Sequence, residues 1–421
     1  MAGAADKSTA LWVLKRLRQA GFEALLAGGC VRDMLLGVRS SDYDIATSAT
    51  PEQVRRLFNR VLLVGARFGV AIVMRAGPGG AGRQVEVATF RSDVSYSDGR
   101  RPDAVRFSDA RQDALRRDFT INGMFFDPLA GRGGKLIDFV GGRQDLRKGL
   151  IRTIGSPGRR FSEDYLRMIR AVRFAGKLGF RIDPATARAA SKHAADIAGV
   201  SGERVFDELS KMLSHPSAPA AMRKLAELGL AQRILPELFA GDLWRWATGR
   251  LELTAGRAGR DAGLGLGAML CELPEKAIRG VTRRWGASNE LRDELRYYSR
   301  HLGQWAAAES LPLCDFKRIM AGGWFARMRA LWRAEEKLRT GGQVHARRTA
   351  RRAGAVPPGS VWPAPLVTGD DLKALGLSEG PALGRMLRLV YDAQLNEEFS
   401  THDQAMRLAR QTMDSARASG Q

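Results

Sequence analysis

Asp42 and Asp44 stand two residues apart in LLAGGCVRDMLLGVRSSDYDIAT, the stretch from Leu25 to Thr47. On a strand, positions i and i+2 share a face about 6.5–7 Å apart, a separation at which two carboxylates can hold divalent ions in common. Just upstream, Gly28 and Gly29 let the backbone come close to a phosphate, and the N-terminus of the helix that follows offers free N–H groups to it. An isolated Asp-x-Asp is more often a pair of solvated carboxylates. Here that explanation must also account for the double glycine, Arg32 and the spacing.

The elements that must position these residues read as a buried strand over Ala24 to Ala27, a Gly-Gly turn, a short helix carrying Arg32, and a second strand bearing the two aspartates. Thr9 to Ala20 is an amphipathic helix with Leu11, Leu14 and Leu17 on one face. Thr50-Pro51 starts a helix through Leu57, and Gly69 to Met74 and Gln84 to Thr89 are strands around a glycine-rich turn, GPGGAG. Glu86 in the second of these is either a third metal ligand or the partner of an arginine. Arg91 to Asp103 has no apolar period and many turn formers, so a mobile loop is expected. Asp138 to Gly155 gives a turn, a short helix and a strand, after which strand signals stop and helices begin with Phe161 to Leu178.

In SEDYLRMIRAVRF, Tyr165, Met168, Ile169 and Val172 form a buried stripe. Arg167 and Arg170 then fall on the opposite side, with Asp164 and Arg173 on the flanks. Composition alone favours an ordinary helix, capped by Ser162, with acids first and arginines later. Ser201 to Leu213 carries its own core stripe, Val205, Leu209 and Met212, and reads as structure, not chemistry.

Gly28-Gly29-x-Val31-Arg32-Asp33, then Leu35-Leu36-Gly37, then Asp42-x-Asp44 resembles the first motif of the class II CCA-adding tRNA nucleotidyltransferases and the related bacterial poly(A) polymerases. Tyr96 to Pro102 is similar to that family's flexible loop, with Val94 where relatives often have glycine. Arg116-Arg117-Asp118-Phe119-Thr120-Ile121-Asn122 looks like the second motif, in which an arginine meets the triphosphate and the Asp and Asn fix the sugar side; the choice between Arg116 and Arg117 stays open. Glu163-Asp164-x-x-Arg167-x-x-Arg170 is similar to the nucleotide-selecting motif, and Ser201 to Leu213 to a segment that buttresses it. The resemblance implies an α/β nucleotidyltransferase head, a polymerase-β-like mixed sheet with helices, followed by an all-α neck, body and tail. It implies Mg²⁺ on Asp42 and Asp44, CTP and ATP as substrates and tRNA as acceptor. Gly28, Gly29, Arg32, Arg116, Arg117, Asp118 and Asn122 would bind the nucleotide, with Asp164, Arg167, Arg170 and Arg173 at its base. A carboxylate only accepts hydrogen bonds, so Asp164 suits the exocyclic amine of C or A and not the carbonyl that U and G present there. The activity expected is CCA addition to tRNA, with poly(A) addition as the alternative.

The 421 residues suggest several domains, expected as a catalytic head over 1–155, a neck over 156–235, a body over 236–345 and a basic linker with an RNA-binding helical tail over 346–421. A net charge of +22 argues for a polyanionic partner, and an anionic membrane surface would serve as well. No apolar run is long enough to span a bilayer and the N-terminus has no apolar core for secretion, so no membrane partner and a cytoplasmic setting are expected. Three scattered cysteines make neither a disulfide framework nor a Cys-x-x-Cys site, and His402-Asp403 reads as a helix start, not part of a metal phosphohydrolase set. Arg347 to Arg352, RRTARR before AGAVPPGS, is expected to be a flexible basic junction; such a run is usually a solvated face, and with a surplus charge of 22 it is also a candidate phosphate contact. The segment from Thr368 resembles the family's tail motif, where Pro381 after Gly380 opens a helix.

Overall fold

The computed structural model describes residues 7–40, 42–64, 69–76, 82–93, 105–256 and 261–418. Most of the loop expected over Arg91 to Asp103, with its Tyr96 to Pro102 motif, and most of the GPGGAG turn lie outside the described residues. The chain divides into two units, one of residues 1–239 with 284–286, the other of residues 240–283 with 287–421.

The first unit is built on eleven short strands among its described residues: β1 Ala24–Ala27, β2 Asp44–Thr47, β3 Val61–Leu63, β4 Val70–Ala76, β5 Gly82–Thr89, β6 Arg91–Asp93, β7 Val105–Phe107, β8 Met124–Asp127, β9 Lys135–Asp138, β10 Leu150–Ile151 and β11 Arg181–Ile182. Seven of them form one sheet in the order β3-β4-β5-β2-β1-β8-β9. Only β2 and β5 run parallel in it. Alternation sorts the side chains. Ala24, Leu26, Ile45, Val85 and Val87 join a large core with Val13, Leu14 and Leu17 of the helix Lys7–Gln19. Leu25, Ala27, Ala46 and Phe125 face the other way, against Phe90, Ala110 and Ala114. Asp44 and Glu86 share this second parity.

The helix Pro51–Leu57 starts as expected, with Thr50 accepting from the Gln53 N–H in a reciprocal capping box. Two expectations change beyond the sheet. Strands do not stop at Gly155, because β11 pairs in parallel with β10; two residues are too few to show a period. The helix expected over Phe161 to Leu178 is broken: Pro157–Glu163 ends at Asp164, whose backbone is extended (φ −159°, ψ 102°), and Leu166–Leu178 follows. Ser162 therefore lies inside the first helix, and Asp164 sits at the break. The helix Gly202–Leu213 packs on Leu166–Leu178, and Val205, Leu209 and Met212 are buried as the stripe requires.

Helices make up the second unit among its described residues. Its core encloses the Arg250 guanidinium, which donates to Glu335 at 2.8 Å and to the Ala268 carbonyl at 3.1 Å. The RRTARR run is not a flexible junction but part of the helix Val344–Ala355. Alanine and arginine favour helix, and Pro357 and Pro358 come only after its end. Glu336 caps it, accepting from the His345 and Ala346 N–H groups at 2.9 and 2.8 Å. Within the run, Arg352 is tied to the Ala308 and Leu311 carbonyls and lies over the Phe316 ring, while Arg347 and Arg351 are exposed. Farther on, Thr368 caps Gly369–Ala374, and Gly380 (φ 147°) precedes the helix Pro381–Leu395.

Candidate active site

Every catalytic, metal and nucleotide-binding candidate named from the two opening motifs and the selecting motif, with Glu86, lines one cleft of about 730 Å³ in the first unit. Sheet register explains one end of it. Ala27 pairs with Asp44 across β1 and β2, so the Gly28-Gly29 turn leaves the sheet beside that carboxylate. Ile45 pairs with Val87, which brings Glu86 alongside as well. The second strand does not bear both aspartates as expected: it begins at Asp44, and Asp42 lies two residues before it, exposed on the same cleft. Burial, then the nearby charges of Glu86 and Asp42, pushes the Asp44 carboxyl up to about 7. Burial and Asp42 raise Glu86 too, against the attraction of Arg91.

Carboxylates crowded at this cost are relieved by a cation. Among the described residues no three His, Cys, Asp or Glu side chains converge into a complete metal cage. A pair of carboxylates such as Asp42 and Asp44 suits a divalent cation that fills the rest of its shell with water and substrate phosphate.

Gly28 has φ 71°, and a Cβ there would stand 3.0 Å from Arg117 Nη1, so the turn must be glycine for the arginine to lie across it. Arg116 and Arg117 both clasp the buried Asp113, Arg116 through Nη2 at 2.6 Å and Arg117 through Nη2 at 2.8 Å. Burial alone would raise that carboxyl, but the two guanidinium charges hold it below the usual carboxylate range. Arg117 also reaches the Asn122 carbonyl and lies over the Phe125 ring.

A chain of bonds then crosses the cleft. Arg32, 3 % exposed, donates to Asp33 and, through Nη1 at 2.8 Å, to Asn122 Oδ1. Asn122 Nδ2 donates to Asp118 Oδ1 at 3.2 Å, and Asp118 Oδ2 accepts from Arg170 Nη2 at 2.6 Å. Burial pushes Asp118 up, yet the Arg170 charge and hydrogen bonds keep it lowered. Glu208 takes Arg173 Nε and, at 3.5 Å, Arg170 Nη1. At the break, Asp164 accepts from the Leu166 N–H at 3.1 Å and from Arg204 Nη2 at 2.7 Å. Arg167 Nη1 donates to Glu163 and to the Arg160 carbonyl.

Sequence reasoning missed Asp113, Arg204 and Glu208. Asp113 was readable, since i,i+3 and i,i+4 place it against Arg116 and Arg117 on a helix. Glu208 falls on the buried side of its helix with Val205 and Leu209, a place where a carboxylate must be paired. Arg204 gave no such signal.

Among the described residues eight basic side chains line the cleft, including Arg91 and Lys177, together with the carboxylates of Asp33, Asp42, Asp44, Glu86, Asp118 and Asp164. A lining rich in guanidinium groups is suited to binding polyphosphates.

Comparison with known proteins gives the family. Residues 24–152 match the "Poly A polymerase head domain" and residues 179–241 the "Probable RNA and SrmB- binding site of polymerase A". The CCA-adding enzyme of Limosilactobacillus fermentum is 32% identical over 408 residues, 92% of this chain and 94% of the relative. The chain belongs to the CCA-adding enzyme and poly(A) polymerase family. Within that family it is 38% identical to the CCA-adding enzyme of Geobacillus stearothermophilus over 68% of each chain. Poly(A) polymerase I of Salmonella typhi is 42% identical over 54% of this chain and 50% of its own. A solved CCA-adding enzyme, that of Bacillus stearothermophilus in complex with CTP, superposes with a TM-score of 0.74 at 30% identity and covers 97% of this chain and 98% of its own. The Thermotoga maritima CCA-adding enzyme complexed with tRNA shares the fold, at TM-score 0.65 and 20% identity over 97% of each chain.

Proposed function

We propose that this protein adds C, C and A to the 3′ end of tRNA, using CTP and ATP without a nucleic-acid template and releasing pyrophosphate. The observation that carries the reading is the meeting, in one cleft, of the Asp42 and Asp44 carboxylates with Asp164, Arg167 and Arg170. One relative named CCA-adding enzyme matches 92% of the chain and others 52% to 68%, whereas the poly(A) polymerase match spans 54%.

Asp42 and Asp44, with Glu86 facing them, would hold Mg²⁺, which when bound lowers the pKa of the RNA 3′-hydroxyl and neutralises charge on the leaving pyrophosphate. Arg32 and the Arg116/Arg117 pair hold the triphosphate oxygens, and the Gly28-Gly29 turn lets the backbone approach them. The 3′-oxygen forms its bond to the α-phosphorus as the bond to the bridging oxygen breaks. Asp118 and Asn122 fix the sugar side, and Arg170 and Arg173 frame the base. Asp164 accepts from the exocyclic amine while Arg167 donates to the neighbouring ring nitrogen or carbonyl. Each mispaired contact with U or G costs about 1–3 kcal/mol.

The catalytic head is proposed over residues 1–155, the neck over 156–235, the body over 236–345, and the RNA-binding tail over 346–421. The +22 charge supports tRNA as the partner, held by phosphates and shape. Among the described residues no helix is long and apolar enough to cross a membrane. A role in tRNA processing supports a cytoplasmic setting.

The deciding experiment gives the protein Mg²⁺ and tRNA lacking its 3′ end, with CTP plus ATP or with ATP alone. Addition of C, C and A followed by arrest is expected. A long ladder from ATP alone would make it a poly(A) polymerase.

A further inference from the structure

We infer that Phe174 is a positioning residue for the nucleotide, an aromatic ring on which the triphosphate-holding arginine and the base-framing arginines are gathered. The inference rests on the reading of Arg32 as a triphosphate contact and of Arg170 and Arg173 as the frame of the base.

Three guanidinium groups surround this one ring. The Cζ atoms of Arg32, Arg170 and Arg173 lie 5.4, 5.4 and 4.2 Å from the Phe174 centroid. Each is inside the range, roughly 6 Å, over which the negative face of an aromatic ring attracts a cation. Arg170 and Phe174 are four residues apart on the helix Leu166–Leu178 and share a side of it, whereas Arg32 belongs to the helix Gly29–Leu35. Phe174 lines the cleft yet is only 7 % exposed, so little water screens the attraction.

Carboxylates hold the same arginines, but one helix at a time. Asp33 takes Arg32, Asp118 takes Arg170, and Glu208 takes Arg170 and Arg173. Asn122 and Asp118 join Arg32 to Arg170 through three successive hydrogen bonds, while the ring meets all three guanidinium groups directly. A ring face also attracts a guanidinium without consuming its N–H donors. Arg32 and Arg170 each donate three hydrogen bonds within the protein, and a guanidinium has more N–H groups than that to offer a phosphate or a base. The ring is held in turn by the fully buried Phe119, which meets it edge to face with centroids 5.8 Å apart and planes at 78°. Phe174 thus sets the spacing between the two ends of the nucleotide site through the charge distribution of its face, not through its bulk alone.

The test separates those two contributions by replacing Phe174 with mono-, di- and trifluorophenylalanine, because fluorine weakens the negative ring face and leaves the outline of the ring nearly unchanged. KM and kcat for CTP and for ATP in single-nucleotide addition to tRNA are measured for each protein, with its thermal midpoint, beside Phe174→Leu, Arg32→Ala and Arg173→Ala. KM should rise stepwise with the number of fluorines, to about tenfold for three, and alike for CTP and ATP. The turnover number and the thermal midpoint should change little across the series. Phe174→Leu should lie at or beyond its end, and the fluorinated proteins carry the test alone should the leucine variant fold poorly. A KM that stays constant across the fluorinated series means that the ring acts by shape, and overturns the inference even where Phe174→Leu is weak. A midpoint that falls in step with the rise in KM overturns it too, since the ring would then be a stabilising core residue only. Arg32→Ala and Arg173→Ala test the underlying reading: a KM for CTP unchanged in either would remove that guanidinium from the nucleotide, and the inference would fall with it.

Discussion

The Asp118 carboxylate accepts two hydrogen bonds from the Arg170 guanidinium on one oxygen, from Nη2 at 2.6 Å and from Nε at 2.9 Å, and thereby joins the segment after the Ala110–Leu115 helix to the selecting helix 52 residues later. The other oxygen holds the Phe119 N–H at 2.8 Å and Asn122. Asp118→Asn keeps the shape and removes the charge, leaving Arg170 with Glu208 alone as a carboxylate partner among the described ion pairs. A loss of about 1–3 kcal/mol in urea unfolding is expected, with nucleotide addition reduced and tRNA affinity unchanged. An unfolding midpoint equal to wild type would mean the pair does not tie the two segments together.

Asp42→Ala or Asp44→Ala should abolish nucleotide addition while tRNA binding, measured by filter retention, survives. Metal-assisted in-line displacement fails when a ligand is lost. Incorporation near the wild-type rate by either variant would return the pair to the role of solvated surface carboxylates.

Acidity offers an independent check, because Asp44 and Asp118 shift in opposite directions. Asp44, raised to about 7, favours its protonated form in the folded chain, so its contribution is present below the ordinary carboxylate range near pH 4 and is lost as pH rises through 7. Asp118 is lowered, so its contribution is present above that range and is lost in acid. In chelator, Asp44→Asn should therefore raise the melting temperature more at pH 8 than at pH 4, and Mg²⁺ should restore wild type at pH 8. A pH-independent difference between variant and wild type would show that Asp44 titrates normally.

Gly28→Ala should cost about 1–3 kcal/mol, since the backbone conformation at φ 71° is unfavourable for a side chain. The new methyl group would also displace Arg117, whose Nη1 lies 3.0 Å from that point. The KM for both nucleotides should rise together, without a change in the choice between them. A selective effect on one nucleotide would place the turn near the base instead.

Binding of tRNA should weaken steeply with salt. Arg347→Ala with Arg351→Ala should shallow the log–log slope, because both side chains are exposed on the helix Val344–Ala355. Arg352→Ala should instead lower thermal stability, since it removes the ties to the Ala308 and Leu311 carbonyls. A slope unchanged by the first pair would make the run a solvated helix face.

Local pattern carried the reading of the head. β1 begins and ends where its apolar run does, and the Thr50-Pro51 signal opens a helix with the capping box in place. The aspartates, Arg32 and the arginine pair were legible because their spacing along the chain is itself the signal. Three things were not. β11 is too short for alternation to show. The break at Asp164 hid inside a run whose apolar period continues through it. Arg204 and Glu208 act on residues 35 to 40 positions away, and no periodicity reports a partner at that distance.

The succession of bonds from Arg32 to Asn122, Asp118, Arg170 and Glu208 also sets an order of events on the ribosome. Its links close over separations of 90, 52 and 38 residues. A nascent chain that has emerged only to Gly155 can pair the strands of its sheet, yet its Asp118 still lacks the Arg170 guanidinium. Loop closure of this kind can begin only when the later helices have left the exit tunnel. Nucleotide binding should therefore switch on abruptly during synthesis, once Glu208 is free to fold back, and truncated products ending earlier should be left without a grip on the base.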